Sequence, residues 1–100
     1  MDKHEIVLNA LYDRLQDDLD DAWKMYNSAR ELKICNDIEM SRFMLTEARA
    51  RLDHSDMIKE KIDYYKSKNN IVDNSGYKTF YCFVLDKIDD LKIKVTNFKI

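Results

Sequence analysis

Residues 3–33 read KHEIVLNALYDRLQDDLDDAWKMYNSARELK, and apolar or aromatic side chains fall at Leu8, Tyr12, Leu15, Leu19, Ala22, Tyr26 and Ala29. The intervals alternate between four and three. A helix of 3.6 residues per turn carries such positions on one face, whereas a strand would need alternation at every second residue. Leu11 and Trp23 widen the stripe. Asp2 at the front, with Glu5 three residues later, has the form of an N-cap and its capping-box partner. The stretch predicts one helix from about residue 3 to 33, roughly 45 Å long at 1.5 Å per residue.

Working outward, the stripe stops at Ile34-Cys35-Asn36-Asp37. Asn36, with Glu39 three residues on, predicts the cap of a second helix over about 36–68. Its stripe is less regular: Ile38, Leu45, Ala48, Leu52, Ile58, Ile62 and Tyr65, with Phe43 and Met44 alongside. Asn69-Asn70 suits a C-terminal cap, because asparagine tolerates left-handed backbone. A connection this short makes the two helices antiparallel neighbours. Residues 69–76 read as the one clear loop and end on Gly76, the expected joint of the molecule. Tyr77, Tyr81, Val84, Ile88, Leu91, Val95 and Phe98 repeat the four-three spacing and predict a third helix over about 76–97, although Lys92–Thr96 alternates like a strand. The expected fold is all-α, a single domain of three helices, with a long antiparallel hairpin and a third helix packed on it.

Composition agrees with this reading. The chain has 100 residues, one glycine and no proline, where an average domain of this length carries about seven and five. That scarcity argues against turn-rich β folds and against glycine-built phosphate loops. Apolar residues make up 45% of the chain, enough for a core despite 36% charged residues. A net charge of −2 lacks the basic excess of a nucleic-acid binder. Charge is uneven, however: residues 1–57 hold thirteen acids against eight Lys or Arg, and residues 58–100 hold nine lysines against six acids. No apolar run approaches a bilayer span, and the opening Met1-Asp2-Lys3-His4-Glu5 does not read as a signal peptide, so the cytoplasm is the expected compartment. Cys35 and Cys82 form no C-x-x-C pair; free thiols are the expectation there, with a disulfide between them as the alternative.

Two features stand out as candidate surfaces. Asp13, Asp17, Asp18, Asp20 and Asp21 place five carboxylates within nine residues, opposite the apolar stripe. A solvated acidic face is the plain reading. The functional one is a partner-binding surface that imitates a phosphate backbone and occupies a Lys/Arg-rich groove, such as that of a nucleic-acid-binding protein. A metal site is not expected, since the run lacks the glycine-containing loop of an EF-hand. The second feature is Phe80-Tyr81-Cys82-Phe83-Val84-Leu85, an apolar run that covers the whole circumference of a helix. Either the third helix is broadly buried between the other two, or Phe80 and Phe83 belong to an intermolecular surface, a homodimer interface or a partner groove.

Residues 43–58, FMLTEARARLDHSDMI, resemble the second helix of a ferritin-like or rubrerythrin-type half-bundle, in which a Glu-x-x-His pair binds iron. The resemblance covers about residues 8–60 and places His54 on the family's histidine. Arg51 stands where the ligand glutamate belongs, and Leu19 stands where the first helix should supply another. It therefore implies a helical hairpin without the iron site; His54 with Glu47, or His54 through a dimer, are the remaining metal pairings, and a lone surface histidine beside Asp53 and Asp56 is the simpler expectation. No nucleophile elbow, zincin helix or phosphate loop is present, and no cofactor is expected. In size and composition the chain resembles small accessory proteins of phages and mobile elements, anti-CRISPR proteins among them. That resemblance implies a non-enzymatic inhibitor or adaptor that binds a protein, with no direct nucleic-acid or membrane contact. A structural homo-oligomer and a degenerate ferritin-like metal protein are the alternatives.

Overall fold

The computed structural model describes residues 2–71 and 77–99, and of residues 77–82 the backbone only. It contains α1 (Lys3–Ile34), α2 (Ile38–Lys68) and α3 (Tyr77–Thr96), and no strand among the described residues. α1 and α2 form a long antiparallel hairpin. α3 runs back along it, antiparallel to α2, as the pairing of Lys92 with Asp56 and the packing of Phe98 on Tyr26 require. Among the described residues, no helix is long and apolar enough to cross a membrane. Gly76, the expected joint, lies outside the described residues.

The core follows the stripes. Leu8, Tyr12, Leu15, Leu19, Ala22, Tyr26 and Ala29 are buried along α1, and Val84, Ile88, Leu91 and Val95 along α3. Burying a Leu, Ile or Val side chain contributes about 1.5–3 kcal/mol. The strand-like tail Lys92–Thr96 is helical because Leu91 and Val95, four apart, both reach that core. On α2 the stripe is more regular than its apolar residues suggest. Ser41, Ala48 and Ser55 recur every seven residues and are all buried. Small side chains there let the helix axes approach closely, and Ser41 Oγ donates to the Ala29 carbonyl across the hairpin at 2.7 Å.

Asparagine takes the place of glycine at the C-terminal ends of α1 and α2. Asn36 has φ 65° and Asn70 φ 54°. At the first end, Asp37 N–H donates to the Leu32 carbonyl at 2.9 Å and Asn36 N–H to Lys33 at 3.0 Å. At the second, Ile71 N–H donates to Lys66 at 2.9 Å and Asn70 N–H to Ser67 at 3.3 Å. Both ends are Schellman motifs, in which a left-handed residue lets two amides satisfy the last carbonyls. This corrects the expected role of Asn36. It ends α1, and Asp37 caps α2 by accepting from the Met40 amide at 3.3 Å.

Candidate functional site

The five clustered carboxylates separate once the helix is packed. Asp13, Asp17 and Asp20 lie exposed on the outer ridge of α1, and Asp21 is half-buried on its flank. Neither Asp13 nor Asp17 pairs with a cation among the described residues, while Asp20 accepts from Gln16 Nε2 at 3.0 Å.

Asp18 does not belong to that ridge. It is only 4% exposed. Its position, three residues after Leu15 and four before Ala22, turns it toward α2. A carboxylate without water is costly unless a donor replaces the water. His54 supplies one: its Nδ1 lies 2.6 Å from Asp18 Oδ2. An ionised carboxylate only accepts, so Nδ1 carries the proton. His54, expected as a lone surface residue, is therefore a half-buried cross-hairpin partner. Among the described residues, no group of three or more His, Cys, Asp or Glu could hold a metal ion. His4 is likewise engaged, with Nδ1 2.8 Å from the Tyr65 hydroxyl where the hairpin's open end is tied together.

Of the two expected interface aromatics, Phe83 is 57% exposed, with Lys87 Nζ 5.5 Å from its ring centroid. The Phe80 side chain lies outside the described residues, as do those of Tyr77, Tyr81 and Cys82. Cys35 is free and exposed.

A basic and aromatic cluster lies where the end of α3 meets the hairpin, and the sequence reading does not single it out. Trp23 packs edge-on against Tyr26, and Tyr26 against Phe98, each at 5.8 Å between centroids. Lys94 sits over Trp23 at 4.8 Å, Lys33 over Phe98 at 5.3 Å and Arg30 near Tyr26 at 5.8 Å. Lys33 also donates to the Lys99 carbonyl, which holds the chain's end against α1. On the other side of Phe98, a cleft of about 380 Å³ is lined by Arg42, Leu45, Thr46 and Arg49. It adjoins a second, of about 360 Å³, that shares Arg49 and continues past Leu52 and Val95 to the Lys92–Asp56 pair. One signal was available in the sequence: Arg42 and Arg49 are seven residues apart, two turns along one face.

Fold and surface together define an all-α three-helix protein with one acidic ridge and one basic, aromatic cleft. No family model matches the chain, and no curated protein or solved structure matches it.

Proposed function

We propose that the chain is a non-enzymatic protein-binding module, an inhibitor or adaptor that covers a basic surface of its partner with the outer ridge of α1. The observation that carries this reading is the ridge itself. Asp13, Asp17 and Asp20 are exposed along about 10 Å of helix, and neither Asp13 nor Asp17 has a cationic partner among the described residues. Like charges three and four residues apart weaken a helix, so the row is a cost to the isolated chain. A basic partner surface would turn that cost into attraction. The inward face of the same helix is locked into the core, so the ridge is held in place before binding and loses little conformational freedom on docking. Asp18 takes no part, and Asp21 contributes from the flank.

The test is a triple charge reversal, Asp13→Lys with Asp17→Lys and Asp20→Lys. Proteins captured by the wild-type chain from its native host should be lost, while those captured by a control with Asp89→Lys and Asp90→Lys on α3 should remain. Melting of the triple variant should be unchanged or raised. Equal capture by all three proteins would sink the reading.

Phe83 supports a second reading, a homo-oligomer built on α3. Its exposed ring and Ile93, 60% exposed, both lie on that helix. Asp86, Lys87 and Asp90 lie between them in sequence, so the described part of α3 offers a broken apolar strip. Light scattering at high micromolar concentration decides this one, because a monomer contradicts it.

A further inference from the structure

We infer that the cleft between α2 and the end of α3 is a second docking site, which takes an acidic helical segment of a partner protein. This site is independent of the ridge. Leu45, Leu52 and Val95 close its base from within the core and are buried, so the half-buried Phe98 is the main apolar side chain it presents to a ligand. Arg42 lines one end and Arg49 the junction of the two adjoining parts, and both are exposed. Neither guanidinium is paired with a carboxylate among the described residues. The far end carries Asp53 and the Lys92–Asp56 pair, which leave it without an excess of cations. The cleft thus has a cationic half, beside Phe98, and a capped half.

The choice of cation is informative. The chain has twelve lysines and five arginines, yet Arg42, Arg49 and Arg51 fall within ten residues that contain no lysine. A lysine keeps a surface soluble as well as an arginine does. Arginine differs in its planar fork, which grips a carboxylate through two parallel hydrogen bonds. Two such forks spaced two turns apart, about 10 Å, match carboxylates seven residues apart on a helix. The half-buried Phe98 ring beside them gives an aliphatic side chain on the same face of that helix a place to pack. This pattern favours an acidic amphipathic helix as the occupant. A nucleic-acid strand long enough to follow the cleft would meet the carboxylates of Asp53 and Asp56. A second copy's ridge has the right spacing from Asp13 to Asp20, but between them it offers Gln16 and Asp17 and no aliphatic side chain.

The experiment uses the full chain labelled with nitrogen-15. The probe is a synthetic helical peptide with two glutamates seven residues apart and two leucines between them on the same face. At low salt, shifts should cluster at Arg42, Thr46, Arg49 and Thr96, and should vanish when the peptide's glutamates are replaced by glutamine. Arg42→Gln with Arg49→Gln should weaken binding by roughly tenfold or more, and Arg42→Lys with Arg49→Lys several-fold, because lysine keeps the charge and loses the fork. Both positions are exposed, so the variants should melt like the wild type. The inference is overturned if the cleft resonances stay still, if the glutamine peptide binds equally, or if the arginine variants bind as tightly. It is also overturned if a short single-stranded oligonucleotide binds the same residues more tightly than the peptide. Line broadening that grows with chain concentration and disappears on substituting Arg42 and Arg49 would make the occupant a second copy, and would equally overturn it. The other outcomes do not bear on the ridge, which keeps its own variants and its own test.

Discussion

A carboxylate that gives up its water needs a donor in return, and Asp18 finds one in His54 at 2.6 Å. Removing that donor leaves a buried acceptor unsatisfied. We expect His54→Ala to lower stability by about 1–3 kcal/mol, measured by urea denaturation. A double-mutant cycle with Asp18→Ala should show that the two losses are not additive; strictly additive losses would mean the pair does not couple the helices. The neighbouring acids should respond in the opposite sense. Asp17 has Asp13 and Asp21 four residues to either side and Asp20 three away, so Asp17→Asn should stabilise the chain by about 0.2–0.5 kcal/mol for each repulsion relieved. The sequence displays the five acids as one run because composition is read along the chain. What divides them is the angle at which each leaves the helix. That angle was legible for Asp18 in its spacing from Leu15 and Ala22. The identity of its partner was not, because residue 54 comes opposite residue 18 only once the hairpin register is fixed.

At the scale of elements, the three helices were legible because their apolar intervals are long and regular. α2 looked irregular only because serine counts as polar. Ser41 and Ser55 are buried in the hairpin, and serine qualifies there by size. Ser41→Leu should therefore cost about 1–3 kcal/mol through overpacking, and Ser41→Ala clearly less, since the Ala29 carbonyl loses only its cross-helix donor. The helix ends also had a sequence signal, asparagine without glycine, although it was assigned to the wrong role at Asn36. Left-handed backbone costs a residue with a Cβ roughly 1–2 kcal/mol, and asparagine is the residue that bears it best after glycine. Asn36→Ala should lower the melting temperature, and Asn36→Gly should leave it unchanged or raise it. A melt in which alanine is harmless would contradict the Schellman geometry between Leu32 and Asp37.

For the whole molecule, the long hairpin sets the shape: the radius of gyration is 15.9 Å and the extents are 51 × 19 × 17 Å. A compact chain of this length would have a radius near 13 Å, so the fold exposes more helix face than a globule would. Solution scattering from a dilute monomer should return a radius near 16 Å. The extra surface is where the acidic ridge and the arginine cleft lie, and only the ridge was legible in advance. The cleft joins residues 42–56 to residues 92–98, a juxtaposition that local periodicity cannot encode. If the ridge binds a basic partner, that binding depends on its three exposed carboxylates and on salt. The partner captured from the native host is titrated with the wild-type chain and with the triple variant Asp13→Asn, Asp17→Asn, Asp20→Asn over a series of salt concentrations. The variant should bind roughly tenfold or more weakly at low salt, and its affinity should fall less steeply as salt rises. Equal affinity, with the same dependence on salt, would contradict binding through the ridge.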